Sequence, residues 1–357
     1  MASLAADTAY LSGRRILVTG HTGFKGSWLA LILARSGARV TGVALPPSTT
    51  PSHFELLGLD REIESVYCDI RSLDGLQQVF QRVRPEVVIH LAAQAFVRAS
   101  YFDPHQTFST NVLGSLNVLE CVSRSPDVGA LVYVTSDKCY KNKEQMQGYL
   151  ETDELGGIDP YSASKAAAEH VFASYVRSRF SDSSDVRVAS ARAGNVVGGG
   201  DWSPDRLIPD CVRSIESNSK IEIRHPNATR PWQHVLEPLS GYLRLAVGLL
   251  NDEVASGESW NFGPPENSVH RVEEVAKFLA SRWGEPERVS VKPDESGMYE
   301  SGLLQLNCDK AARLLAWRTR WSFESTMLHT VDWYRHFSAG SSAMTLTLAD
   351  IERYISA

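Results

Sequence analysis

A chain of 357 residues, 43% of them hydrophobic, can bury a large core, enough for one large domain or two modest ones. Its formal net charge is -6, with no block of like charge and no Arg/Lys tract interleaved with aromatics, so no nucleic-acid footprint is present. No run of about eighteen apolar residues occurs, residues 1–12 carry no basic stretch followed by an apolar one, and the five cysteines form no CxxC or CxH pattern. A cytoplasmic protein in a reducing compartment is expected, with no membrane contact and no metal site.

The first half of the chain alternates short β-branched runs with amphipathic stretches. Strands are predicted at residues 15–19, 40–45, 66–69, 87–91, 131–135 and 186–191, and helices at 27–36, 73–82, 111–123 and 164–179. That rhythm predicts right-handed βαβ units in a parallel sheet, and the continuously apolar strands predict helices on both of its faces. After Arg192 the rhythm breaks. Residues 194–200 are glycine-rich, and 201–209 hold Trp, Pro and Arg. Short strands (221–223, 233–235, 259–262) then mix with helices (239–250, 272–283, 309–316, 323–337). The expected fold class is α/β: a Rossmann-type doubly wound parallel sheet with a smaller α/β C-terminal domain cupping the carboxyl ends of the strands.

The first strand runs into Gly20-His21-Thr22-Gly23-Phe24-Lys25-Gly26 and then a helix. Gly20 permits the tight turn, Gly23 lets backbone N–H groups approach a pyrophosphate, and Gly26 allows the helix to pack on the strand. A dinucleotide is therefore expected over Gly20, Thr22, Gly23, Phe24, Lys25 and Gly26. The second strand ends Val43-Ala44-Leu45-Pro46-Pro47, with neither the acidic residue that would hold a ribose 2′-hydroxyl nor an arginine for a 2′-phosphate. The residues themselves thus leave NAD and NADP both open. Asp69 and Ile70 are candidate adenine contacts, although Asp69 also suits a nearby helix cap. Leu91, Ala92 and Ala93 end the fourth strand with mostly small side chains, as a backbone passing close to the cofactor requires. Residues 1–193, joined by later segments around 230–262, are expected to bind the dinucleotide. Residues 194–357 are expected mainly to bind substrate.

Tyr161 and Lys165 are four residues apart, so on a helix they share a face. A phenol of pKa about 10 is a poor base at neutral pH, and an adjacent ammonium together with a nicotinamide cation lowers it. Lys165 can also reach the nicotinamide ribose. The glycine loop, a strand ending in Thr135-Ser136 and YxxxK together resemble the extended short-chain dehydrogenase/reductase family over essentially the whole chain.

Longer runs are similar to the CDP-glucose 4,6-dehydratase subgroup: residues 20–29, 135–140, 192–202, 205–210 and 230–242. The resemblance implies NAD as cofactor and a CDP-linked hexose as substrate. It implies a redox-neutral reaction, in which hydride leaves carbon 4, water is lost across carbons 5 and 6, and hydride returns to carbon 6. Tyr161 then takes the 4-hydroxyl proton, Ser136 bonds the 4-oxygen, and Asp137 is the general acid for water loss. Related dehydratases carry Thr-Asp-Glu at this point; here Lys138 replaces the carboxylate. A desolvated lysine serves as a base at carbon 5, the role preferred here, whereas a protonated one stabilises the enolate instead.

On the substrate side the resemblance implies Asn195, Arg206 and Arg230 as contacts to the sugar diphosphate, since guanidinium matches phosphate oxygens bidentately. His234 reads as a core histidine. Around Tyr299-Glu300-Ser301-Gly302-Leu303 the chain departs from the subgroup, and no contact is carried over. The family generally dimerises through the helix after the fourth strand and the YxxxK helix, which implies a homodimer. Two rival readings are a nucleotide-sugar 4-epimerase, which does not need Asp137 and Lys138, and a non-catalytic NAD-binding sensor, which does not need Tyr161 and Lys165.

Overall fold

Strands β1 (Arg15–Thr19), β2 (Arg39–Ala44), β3 (Glu64–Tyr67), β4 (Val87–His90), β5 (Ala130–Val134) and β6 (Arg187–Ala193) alternate with helices in the computed structural model of the chain. The structure describes residues 3–180, 185–265, 268–292, 298–299 and 302–357. Short strands follow at β7 (Val196–Val197), β8 (Ile221–Ile223), β9 (Thr229–Pro231), β10 (Gln233–His234), β11 (Ser259–Phe262), β12 (Val269–Arg271) and β13 (Val289–Val291). β1–β6 and β11 form one all-parallel sheet in the order β11-β6-β5-β4-β1-β2-β3. The order reverses between β1 and β4, where a doubly wound sheet opens a crevice at its carboxyl edge.

The two-residue period of a strand divides the core between the two faces. Ile16, Val18, Val87, Ile89 and Val132 face one cluster, filled by helices Phe24–Arg35 and Leu236–Leu250. Leu17, Val88, Leu131 and Tyr133 face the other, filled by helices Leu73–Val83, Ser115–Ser123 and Pro160–Ser178. Central strands are accordingly apolar throughout. β3 is not, because it forms the sheet edge: Glu64 and Tyr67 are exposed, and Glu64 pairs with Arg82 at 2.8 Å.

Several elements differ from the sequence expectation, among them helices Val97–Phe102, Pro104–Phe108 and Leu207–Glu216, which were not foreseen. Helices Leu4–Leu11 and Ala343–Ser356 were not foreseen either. The predicted helix over 111–123 is α-helical only from Ser115, and Ser109–Gly114 forms a π-helical turn. Wider helical turns of this kind recur at functional sites. This one turns Asn111 inward, so that its Nδ2 donates to Ser164 Oγ on helix Pro160–Ser178 at 2.9 Å. β11 has its predicted bounds and extends the main sheet beside β6, while β8 pairs with β13 and β9 with β12 in small sheets over the carboxyl edge. No helix among the described residues is long and apolar enough to cross a membrane.

Candidate active site

The glycine loop is shaped by what its residues lack. Gly20 has φ +79°, and a Cβ there would meet the Ala92 backbone nitrogen at 2.8 Å. A Cβ on Gly26 would lie 2.0 Å from the Gly20 carbonyl oxygen. At Gly23 the nearest atom is 3.4 Å away, and this residue opens helix Phe24–Arg35 toward the cavity. Thr19 Oγ1 accepts from the amides of Leu91 and Ala92, both at 3.1 Å, which fixes the end of β4 beside the loop. The result is a cradle of backbone N–H groups at a helix N-terminus, a fit for a dinucleotide pyrophosphate.

Helix Pro160–Ser178 starts where its sequence dictates. Asp159 caps it, accepting from the Ser162 amide at 2.9 Å, and Pro160 takes the first position. Tyr161 therefore emerges in the first turn and Lys165 one turn later on the same face, both buried. The Tyr161 amide donates to Ser100 Oγ at 3.1 Å. Opposite, β5 ends at Val134 and its continuation turns through Asp137–Cys139. Ser136 Oγ donates to Asp137 Oδ1 at 2.9 Å and also hydrogen-bonds the Tyr161 hydroxyl. A Cβ on Gly194 would stand 3.2 Å from Asp137 Oδ2, so β6 ends directly against the carboxyl.

Desolvation governs the charges here. Burial raises Asp137 above the usual carboxylate range, against the opposing pull of Lys138, the Ser136 bond, Lys25 and Arg230. Burial also lowers Lys165 to about 8, with Cys139 and Glu169 acting the other way. Lys25 falls to about 7 through burial and the neighbouring Arg206, partly offset by Asp137. The expectation of a lowered phenol is corrected for the protein alone: burial drives Tyr161 up to about 12, and the Ser136 bond only moderates this.

Every site residue singled out in the sequence lines a single cavity of about 740 Å³. Glycine-loop residues sit at one end with Asp69, Ile70, Leu91, Ala92 and Ala93, and Asp69 is gripped there by Arg71, Nη2 to Oδ2 at 2.6 Å. Ser136, Asp137, Lys138, Tyr161 and Lys165 form the middle, and Lys138 is half-buried rather than solvated. Asn195, Arg206 and Arg230 line it as well. Arg206 lies over the Phe96 ring, 5.5 Å from its centroid, and close enough to act electrostatically on Tyr161 and Lys25. Arg230, in β9, donates to the Thr229 carbonyl at 2.9 Å. His234 is buried between Trp28 and Trp321, a core histidine as expected. Glu300 and Ser301 lie outside the described residues, whereas Met298 and Tyr299 do line the cavity.

Arg98, which the sequence leaves open between a pocket arginine and a solvated one, does line the cavity, where it meets Asp205 and Arg224, which sequence reasoning missed: Asp205 Oδ1 lies 3.0 Å from Arg224 Nη1 and 3.5 Å from Arg98 Nε. Nothing in their spacing announces the cluster. It also missed the buried Glu169–Arg192 pair, whose one signal was a carboxylate four residues after Lys165.

A parallel seven-stranded sheet, a glycine cradle at the end of its first strand and a Tyr–Lys pair in the same cavity define a dinucleotide-dependent enzyme of the short-chain dehydrogenase/reductase class. The chain belongs to the family described as GDP-mannose 4,6 dehydratase, whose model matches residues 17–330. It is 43% identical to a CDP-glucose 4,6-dehydratase of Salmonella typhimurium over 98% of this chain and 99% of that protein. It is 28% identical to a dTDP-glucose 4,6-dehydratase of Streptomyces antibioticus, covering 90% and 92%. Among solved structures, DesIV, a dTDP-glucose 4,6-dehydratase from Streptomyces venezuelae with NAD bound, shares the fold at TM-score 0.79 and 24% identity, covering 91% and 98%. A UDP-glucose 4-epimerase of Thermus thermophilus in complex with NAD matches at 0.76 and 26%, covering 90% and 99%.

Proposed function

We propose that this protein dehydrates CDP-D-glucose to CDP-4-dehydro-6-deoxy-D-glucose, with NAD held in the glycine cradle. The observation that carries this is Asp137: a protonatable carboxyl, 3% exposed, bonded to Ser136 and within electrostatic reach of Tyr161 and Lys138. Oxidation and reduction at carbon 4 alone need only Tyr161 and Lys165, so a buried acid beside them points to elimination. The Salmonella relative supports cytidine as the nucleoside, and the NAD-bound neighbours support NAD.

Bound NAD would accept hydride from carbon 4 and return it to carbon 6. Tyr161 removes the 4-hydroxyl proton, and the Lys165 ammonium and the Ser136 hydroxyl stabilise the oxygen charge. The 4-ketone makes the carbon 5 proton acidic; Lys138, facing Asp137, accepts it and, after exchange with solvent, returns a proton to carbon 5 as hydride is delivered to carbon 6. Asp137, shifted by burial toward its protonated form, gives its proton to the departing 6-hydroxyl, so that hydroxyl leaves as water. Arg206 and Arg230 hold the diphosphate, with Asn195 beside the sugar. Residues 1–193 serve the cofactor and 194–357 mainly the substrate.

The working form is a cytoplasmic homodimer. Exposed Phe102, Phe108 and Leu113, leading into helix Ser115–Ser123, support the pairing, and five free cysteines suit a reducing compartment. Incubation with CDP-, dTDP- and GDP-glucose, followed by alkali and near-ultraviolet absorbance of the 4-keto-6-deoxy sugar, tests the reaction and the nucleotide together. Signal is expected first with CDP-glucose. No signal with CDP-glucose rejects the proposal, and an epimerase gives none with any substrate.

A further inference from the structure

The buried ion pair of Glu169 and Arg192 takes no part in the steps above, yet it joins the helix of Tyr161 and Lys165, the turn of Ser136–Lys138 and β6. Arg192 Nη2 donates to Glu169 Oε2 at 2.6 Å, and the two side chains are 4% and 2% exposed. Glu169 lies one turn beyond Lys165 on helix Pro160–Ser178. Its other oxygen, Oε1, accepts from Thr135 Oγ1 at 2.5 Å, and Thr135 immediately precedes Ser136. Oε2 also accepts from Ser190 in β6 at 3.0 Å. Arg192, also in β6, stands two residues before Gly194. Its Nη1 donates at 2.9 Å to the hydroxyl of Tyr140, the residue that closes the Asp137–Cys139 turn. The same guanidinium lies 5.0 Å from the centroid of that ring. The Tyr140 hydroxyl then donates to Asn261 Oδ1 in β11 at 2.8 Å.

We propose that Glu169 and Arg192 are positioning residues: they lock the Ser136–Lys138 turn, the Tyr161–Lys165 face and the end of β6 into one arrangement, and keep an anion within reach of the Lys165 ammonium. This rests on the dehydratase reading. Water-excluded charges interact far more strongly than solvated ones, so the pair is stiff, and loss of either partner leaves the other uncompensated. Among the described residues, the titratable groups near Lys165 are Tyr161 and Glu169 on its own helix, Cys139 from the turn, His90 from β4 and Lys25 from the glycine loop. Burial keeps His90 neutral, near 3, and pushes the Cys139 thiol well up. Glu169 is held ionised by Arg192 and is the anion of that set.

The test compares full-length wild type with Glu169→Gln, the double variant Glu169→Gln/Arg192→Met, and Arg192→Lys, following CDP-glucose turnover against pH alongside thermal melts. The double variant leaves no lone buried charge and is expected to fold. Wild-type turnover comes first; without it the dehydratase reading fails, and the pair is judged instead on the enzyme's actual substrate. In the double variant kcat is expected to fall about a hundredfold, as about 1 Å of misplacement costs. KM should stay within about threefold of wild type, since the diphosphate contacts are untouched. The alkaline limb of the pH profile should move to lower pH by at least about half a unit, because the anion near Lys165 is gone. Arg192→Lys keeps both charges, and there the limb should stay while kcat falls less. A folded double variant that keeps its kcat, or loses it with the limb unmoved as a merely structural role requires, overturns the proposal.

Discussion

Replacing Asp137 by Asn removes one proton and little else. The carboxyl is buried against Gly194, and its Oδ1 accepts from Ser136 at 2.9 Å; an amide oxygen of the same shape keeps that bond and that packing. What disappears is the ability to protonate the 6-hydroxyl. General acid catalysis contributes roughly a hundred- to ten-thousand-fold, or about 3–5 kcal/mol of barrier. Because burial favours the neutral carboxyl, the substitution changes little of the charge facing Lys138, Lys25 and Arg230, so diphosphate binding should hold. Expected, therefore, is loss of 4-keto-6-deoxy product by that factor, with oxidation at carbon 4 within about tenfold of wild type. Rapid mixing, monitored by reduced-nicotinamide absorbance, reads the first step, and alkali-quenched product reads the whole. A reduced cofactor that accumulates marks a stalled elimination. Product formation within about tenfold of wild type would refute Asp137 as the acid.

A methyl at Gly26 would sit 2.0 Å from the Gly20 carbonyl oxygen, so Gly26→Ala should lose about 1–3 kcal/mol of stability and weaken NAD binding; a melt and a titration matching wild type would contradict the packing. Lys138→Met should slow exchange of the carbon 5 proton with solvent while sparing cofactor reduction; exchange at the native rate, followed by NMR in deuterated water, removes Lys138 as the base. Glu237 is buried, accepts from the Trp321 amide and the Tyr354 hydroxyl, and is raised from 4.5 to about 7 by desolvation. The native state then holds a proton that the unfolded state has released, so stability should fall as pH rises from 4.5 to about 7, by up to about 3 kcal/mol. Glu237→Gln should flatten denaturation midpoints across that window, and an unchanged slope would sink the assignment. Arg230→Met should raise KM for the nucleotide sugar by about ten- to a hundredfold with kcat nearly kept; a pure kcat effect would place the guanidinium away from the diphosphate.

Much of the cofactor half was legible because its signals are local. β1 and β11 fall at their predicted bounds, and Asp159-Pro160 announces the start of the Tyr161–Lys165 helix through capping chemistry that needs no tertiary information. Helix Leu4–Leu11 was not legible: it is short, apolar on several sides, and held by packing on Leu236–Leu250 rather than by its own pattern. The π-helical turn at Ser109–Gly114 was missed because its register is set by tertiary bonds, Asn111 to Gln94 and Ser164. Tyr161, Lys165 and the Ser136–Lys138 turn could be named in advance since each lies in a short motif. The Glu169–Arg192 pair joins a helix to a strand 23 residues away, and Arg98, Asp205 and Arg224 meet only once β8 folds over the sheet edge. The sign of the Tyr161 perturbation was also illegible, because desolvation depends on burial that no motif reports.

The most direct test uses CDP-glucose carrying deuterium at carbon 4. Tyr161, Asp137 and Lys138 acting around one NAD should move that deuterium within the same molecule to carbon 6, with a solvent proton at carbon 5. NMR of the product reads both positions. Deuterium at carbon 6 of the 4-keto-6-deoxy product is the expected result. Deuterium retained at carbon 4, as in simple epimerisation, or no conversion at all, contradicts it.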